Sequence, residues 1–515
     1  MMAWRACLGC ALAALRPGWQ RLLLLLAVVA ATGCASLGSA PPAVVTFAHI
    51  NDVYEIEPVE NGRFGGPARW ATVFGQLRQS SAPVIVTLGG DYLSPSALGT
   101  AKVDGEALAG RQMVDVLNAV GVDLATFGNH EFDVSEKAFR RHLTQAHFKL
   151  VSSNVTDAGG APFAGVATSL ILPVQAGGRQ LNIGVIGVTV DATATPWVRY
   201  RDRLQAAREE IARLRGRTDA LVAITHLPLA QDAELVEALS EIDLVLGGHE
   251  HENWHLLRGR QFAPIVKADA NGRSIAVVTM AFGAPGERPT VSTRWQLVDE
   301  RVPADPAVAA IAQRWTALGF AGFSAQGFKP EALVAITSEA LDGREATVRN
   351  RPGRLTDLIA QAMARAAGPV QAALFNGGSV RIDDVLPAGP ITEYDVIRVL
   401  PFGGKVVTAE LDGELLVRVL DSGAGNQGLG GYLQTWGIQR TPEGEWRIAG
   451  RAIDPKARYR VALTDFLLTG AEVNMGYLRR DHPQVHDIRE LGDIRKAVME
   501  ELRRVYQPAT EAGRR

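Results

Sequence analysis

Ile242-Asp243-Leu244-Val245-Leu246-Gly247-Gly248-His249-Glu250-His251 is an apolar run of strand length that stops on two glycines and delivers two histidines. Four more segments have the same form. Val44–Ile50 runs into Asn51-Asp52, Val84–Gly90 into Asp91, Val122–Gly128 into Asn129-His130, and Leu221–Thr225 into His226. Short β-branched runs of this kind read as buried strands. In a layered α/β fold, the residues just past the carboxyl ends of such strands converge on one crevice. Two aspartates, an asparagine and several histidines meeting there predict a site for two metal ions. A metal pair ~3.5–4 Å apart is a common device for phosphate-ester hydrolysis. Taken singly, an aspartate after a strand is more often a cap or turn residue; the combination and its order carry the reading.

Between these runs lie helical patterns at Gly66–Gln79, Gly105–Ala119 and Asp202–Arg215, so residues 44–299 read as one α/β domain. Val302–Leu318 reads as a linking helix and Gly319–Lys329, rich in glycine, as a hinge, together spanning 300–329. A second unit, 330–510, carries an amphipathic helix at Thr356–Ala367 and strands at Ala372–Phe375, Val406–Leu411 and Tyr459–Thr464. Beyond Val473 the pattern weakens, and Arg503–Arg515 is expected to fray.

The 515 residues exceed one ordinary core, which agrees with two large domains. Apolar content of 47% and charge of 21% are those of a globular chain, and a net charge of −2 excludes a generally basic nucleic-acid binder. No obligate protein partner is expected. The first 33 residues read differently: Arg5, Arg16 and Arg21 precede Leu22–Ala30, a run too short to span a membrane. Residues 1–33 are expected to be a secretory signal peptide. Ala31-Thr32-Gly33-Cys34 resembles a bacterial lipobox, which implies lipidation of Cys34 and a tether at 34–43. Plain cleaved export is the alternative. Ala35 favours the outer membrane, so the expectation is a periplasmic, lipid-anchored protein with no other membrane contact. Cys7 and Cys10 fall in the part to be removed, which leaves the mature chain no internal disulfide.

The clusters Gly128-Asn129-His130-Glu131-Phe132-Asp133 and Gly247-Gly248-His249-Glu250-His251, with Asn61–Arg69, Ser152–Val155 and Ile183–Thr189, resemble the metallophosphoesterase superfamily and closely its secreted 5′-nucleotidase family. The resemblance covers essentially the whole mature chain. It implies a four-layer α/β/β/α sandwich, a linker helix and a second α/β substrate-binding domain. It also implies that Asp91 bridges two metals, with Asp52 and His251 on the first and Asn129, His226 and His249 on the second. The ligand types suit zinc, manganese or iron without choosing among them. His130, oriented by Asp133, would act on the transition state or the leaving oxygen. The attacking group would be a metal-activated water.

Where the family has Asp-x-His, this chain has Asp52-Val53-Tyr54. Tyr54 would either bind metal as phenolate or be displaced and leave a water. The family usually has Gln or Asn where His251 stands, so one histidine is lost and another gained.

In the second half, Asn376-Gly377-Gly378-Ser379-Val380-Arg381 resembles the family's Asn-Gly-Gly-x-x-Arg. This implies contacts to substrate phosphate from Arg381, with Asn376 in the same motif. Arg349 aligns with a further contact, Arg351 being close enough to confuse the choice. Phe402 and Phe466 match the pair that sandwiches a nucleobase, and Glu472 stands where an aspartate grips the ribose. The implied activity is 5′-nucleotidase. The alternatives are a phosphoesterase for cyclic or sugar nucleotides and a non-catalytic binding lipoprotein.

Overall fold

The computed structural model describes residues 43–506. The expected signal segment, Cys34 and nearly all of the tether lie outside the described residues. No described helix is long and apolar enough to cross a membrane.

The first half is built on two sheets. The seven-stranded sheet runs in the order Thr290–Leu297, Ser274–Phe282, Ala43–Ile50, Val84–Leu88, Leu124–Ala125, Lys149–Val151, Val166–Ala167. The six-stranded sheet runs Trp254–Arg258, Ala263–Lys267, Leu244–Gly248, Ala220–His226, Arg179–Thr189, Ser169–Ala176. The strands that lead to the candidate ligands are parallel within each sheet (43–50 to 84–88 to 124–125, and 220–226 to 244–248). Their carboxyl ends therefore share one edge.

Alternation of side chains sorts each strand between two cores. Val45 and Phe47 face the other sheet, where they meet Val185, Val222 and Leu246. Ala48 and Ile50 face the opposite way, into a cluster with Trp70, Phe74 and Leu117 from the helices Pro67–Arg78 and Arg111–Val120. The outer face of the second sheet buries Ile186, Ala223 and Val245 against Ile211 and Leu235 of the helices Arg203–Leu214 and Leu229–Ala238. The result is a four-layer α/β/β/α sandwich.

Three expectations are corrected. The run Val122–Gly128 contributes only Leu124–Ala125 to the ladder. Past Ala125 the chain turns out of the ladder, and Gly128 N donates to the Glu131 carboxylate. The linking helix begins at Pro306, since Asp305 caps it by accepting from Ala307 N and Val308 N at 2.9 and 3.0 Å, and it continues to Ala325. Gly319 and Gly322 are therefore helical rather than part of a hinge. A Cβ on Gly322 would stand 2.6 Å from the Lys102 carbonyl oxygen, so the glycine permits close packing on the first half. The third correction falls beyond Val473, where a strand Val485–Asp493 and a helix Ile494–Tyr506 are formed. The strand lies at a sheet edge and is mostly exposed, which hides it from an apolar pattern.

The second half has a five-stranded sheet in the order Leu433–Trp436, Ala372–Asn376, Arg458–Thr464, Lys405–Asp412, Val485–Asp493. Helix Gly413–Gly425 covers one face, and the helices Arg354–Ala367 and Ile494–Tyr506 cover the other. The core under Pro67–Arg78 runs on through Phe323 and Phe328 to Ile359 and Ile397, so the two halves share buried apolar contacts.

Candidate active site

Asp52, Asp91 and His226 bring one ligand atom each to within 4.8 Å of one another. Asp52 and Asp91 stand two and three residues past the ends of their strands, and both, with His249, sit in the left-handed region (φ 53°, 56° and 83°). That turn aims each side chain back across the strand ends. The Asp52 carboxylate is pinned by Asn51 Nδ2 at 2.7 Å and His249 N at 2.9 Å. The Asp91 carboxylate accepts from His130 N at 2.8 Å. It lies so close to Gly128 that a Cβ there would stand 2.0 Å from Oδ1, so only glycine fits.

His226 has Nδ1 2.7 Å from the Gly89 carbonyl, so that nitrogen donates and Nε2 is left as the acceptor. Nε2 lies 3.2 Å from Asp91 Oδ2 yet makes no hydrogen bond. Asn129 Oδ1 is likewise buried without a partner. Lone pairs facing carboxylates in a buried site are repulsive unless a cation stands among them, and the donor set of imidazole, carboxylate and amide oxygen suits a divalent metal. The site thus fits the metal-ion requirement. Without a cation, burial opposes charge on His226, but Asp91 and Asp52 outweigh it and raise its pKa to about 9, so a proton on Nε2 takes the place that a cation would fill. Burial and then the charge of His226 hold His249 down to about 3.

The Tyr54 hydroxyl points into the crevice. It donates to Asp52 Oδ1 at 3.1 Å, lies 3.4 Å from Asp91 Oδ2, and is 3.1 Å from His251 Nε2. Burial, then the carboxylates of Asp52 and Asp91, raises its pKa well above the usual phenol value. His251 Nε2 is 3.3 Å from Asp52 Oδ1. His130 stands at the rim with Nδ1 2.6 Å from Asp133 Oδ2, which leaves Nε2 turned toward Asp91 at 4.0 Å.

Several residues at the site had no part in the sequence reading. The buried Glu131 carboxylate accepts from Asp91 N, Tyr92 N and Leu93 N at 2.9, 2.7 and 3.1 Å and also from Gly128 N, tying two ligand loops together. It lies inside the quoted Asn129–Asp133 cluster, and its burial was the missing signal. Lys267, fully buried, braces the Gly248 carbonyl at 2.9 Å and Asp232 at 2.8 Å. Asp383 meets His251 from the second half, and no spacing in the sequence pointed to it.

One cavity of about 990 Å³ joins the two halves of the site. Asp91, Asn129, His130, Asp133, His249 and His251 line one side. Arg349, Asn376, Arg381, Phe402, Phe466 and Glu472 line the other. Arg351 is exposed and outside that lining, which separates it from Arg349. Burial, then the neighbouring Arg381, lowers the Arg349 pKa to about 9. Both guanidinium groups turn to Glu345, and each retains a buried Nε without a partner. Phe402 and Phe466 are 56% and 41% exposed, unusually bare for phenylalanines in a cavity. Glu472 is buried and accepts from Val473 N at 2.8 Å, and burial raises its pKa.

The calcineurin-like phosphoesterase family model matches residues 45–253, and the 5′-nucleotidase C-terminal domain model matches residues 334–477. Fold, ligand cluster and these matches define a metal-dependent phosphoester hydrolase. The chain combines a calcineurin-like phosphoesterase domain with a 5′-nucleotidase C-terminal domain, in that order along the sequence. It is 26% identical to the trifunctional nucleotide phosphoesterase protein YfkN of Bacillus subtilis over 77% of this chain but only 29% of that protein, so it spans under a third of that relative's length. It is also 26% identical to the snake venom 5′-nucleotidase of Naja atra, over 77% of this chain and 81% of that one. The solved 5′-nucleotidase precursor of Thermus thermophilus superposes with a TM-score of 0.75, at 23% identity, covering 90% of this chain and 97% of that chain; this likeness concerns the fold.

Proposed function

We propose that the protein hydrolyses nucleoside phosphates to nucleoside and phosphate at a two-metal centre, in the periplasm and anchored through Cys34. The unit 44–299 holds the metals and the unit 330–510 presents the substrate. The observation that carries this reading is one cavity lined by Asp91, Asn129, His249 and His251 together with the two arginines and two bare phenylalanines. Asp52, Tyr54, Asp91 and His251 would hold one metal, and Asp91, Asn129, His226 and His249 would hold the other. When bound, such a pair supplies a water of lowered pKa and neutralises phosphoryl charge.

The chain's own groups do the rest. Arg349 and Arg381 exchange their contact with Glu345 for charge-assisted hydrogen bonds to phosphate oxygens. Phe402 and Phe466 stack on the base, an interaction worth ~1–3 kcal/mol that tolerates every base. Glu472 accepts from sugar hydroxyls. His130, held by Asp133 at Nδ1, presents Nε2 to the leaving oxygen and protonates it.

Purified protein assayed against a nucleotide panel, with metal content measured in the same preparation, tests this. Clear AMP hydrolysis with two metals per chain is expected. Hydrolysis of a generic aryl phosphate with no response to nucleotides would remove the nucleotidase assignment. A second reading, hydrolysis of cyclic or sugar nucleotides, is favoured by glutamate at 472, and the same panel separates it. Asp91→Asn is expected to abolish turnover; unchanged activity would remove the metal mechanism.

A further inference from the structure

His251 is held from the opposite half of the molecule. Its Nδ1 is 2.6 Å from Oδ2 of Asp383, 132 positions away in the chain. Its Nε2 faces Asp52 and the Tyr54 hydroxyl. Asp383 is itself fixed: Glu345 N donates to its Oδ1 at 2.8 Å, and Arg273 Nη2 donates to its carbonyl at 2.9 Å. The next residue, Asp384, is fully buried and seats the same junction. It accepts from Glu60 N at 3.1 Å and Arg398 Nη2 at 3.2 Å, while Arg398 Nε also donates to Glu55 at 3.1 Å. Glu55 and Glu60 lie on the segment that carries Asp52 and Tyr54.

We propose that Asp383 is a positioning residue for His251, so that one ligand of the metal centre is set by the second unit while the others come from the first. The inference rests on the metal-site reading above. A carboxylate accepting Nδ1–H fixes the tautomer that leaves the Nε2 lone pair facing the crevice, sets the ring plane and raises the basicity of the nitrogen. Metal binding and the seating of the two halves are then linked. A cation that prefers the seated His251 stabilises the seated contact by the same factor.

The test titrates metal-stripped protein with Zn2+ against a chelating indicator. Wild type is expected to take up two ions; uptake of none would overturn the metal centre and this proposal with it. In Asp383→Asn, one of the two sites is expected to weaken by about 10–100-fold, the usual size of such a loss, with the other unchanged. His251→Gln is expected to weaken the same site. The double variant is expected to bind no more weakly than His251→Gln alone, because the carboxylate acts only through the histidine. Asp384→Asn, which loosens the junction without touching His251, is expected to lower the unfolding midpoint and to cost less Zn2+ affinity than Asp383→Asn, because the His251 tautomer stays fixed. Wild-type affinity in Asp383→Asn, or additive losses in the double variant, would overturn the proposal. Should Asp383→Asn fail to fold, nitrogen NMR of the zinc-loaded wild type decides. A proton on His251 Nδ1 supports the assignment, and a proton on Nε2 overturns it.

Discussion

His130 and Asp133 are joined by the short turn His130–Phe132, which puts Nδ1 against the carboxylate and frees Nε2 for the cavity. His130→Gln is expected to lower kcat by about 10²–10⁴-fold, the range for a lost general acid, with metal content unchanged. Loss of metal in that variant would recast His130 as a structural residue. Tyr54→His is expected to stay active with a different metal preference, since the hydroxyl occupies the space among Asp52, Asp91 and His251. Identical metal dependence in both proteins would show that Tyr54 is no ligand. Glu131→Gln replaces one accepting oxygen by a donor that faces two backbone N–H groups. A stability loss of roughly 1–3 kcal/mol per stranded N–H is expected, read from urea unfolding. At this scale the candidate ligands could be proposed from sequence because they stand at or just past the ends of apolar runs. Glu131, Lys267 and Asp383 were not. Buried polar partners are chosen by three-dimensional proximity, which leaves no periodic trace.

Among the elements, those with an unbroken apolar pattern were the most legible. Helix Arg203–Leu214 and strand Ala220–His226 fall within a residue or two of their expected bounds, since the helix has one apolar face and the strand is buried on both of its faces. Helix Pro306–Ala325 was misjudged at its far end, where glycines suggested flexibility. Gly322→Ala tests the packing explanation. Alanine favours a helix by ~1 kcal/mol over glycine, yet its Cβ meets the Lys102 carbonyl, and overpacking typically costs about 1–3 kcal/mol. A lowered unfolding midpoint is expected. A raised one would mean that the glycine is there for motion. The edge strand Val485–Asp493 escaped notice because an exposed strand has no apolar face to display.

For the whole molecule, the halves meet through a shared core and through Glu55 and Asp384, which are buried, paired with the partly buried Arg273 and Arg398. That contact could not be read from the chain, because its partners lie hundreds of positions apart. Stability at this scale has a defined pH dependence. Burial holds His142 at a pKa of about 4 and does the same for His49. Unfolded, both titrate near 6.5. Between these values the unfolded chain binds more protons, so stability falls as pH drops from about 6.5 to 4, by up to roughly 3 kcal/mol per histidine. Urea unfolding of metal-stripped wild type and His142→Gln across this range is expected to show a shallower acid loss in the variant. Parallel curves would mean that His142 is not held neutral.

The left-handed backbone at Asp52, Asp91 and His249 sets two kinds of selection against each other. A non-glycine residue in that region is held at an expense of order 1–3 kcal/mol, and glycine would relax it. A library screened only for solubility or heat resistance is therefore expected to enrich glycine at 52, 91 and 249 and to return well-behaved proteins that turn over nothing. Sequencing such survivors beside those from an activity screen would show the two populations parting at these three codons, where the chain has kept reactivity at the expense of ease.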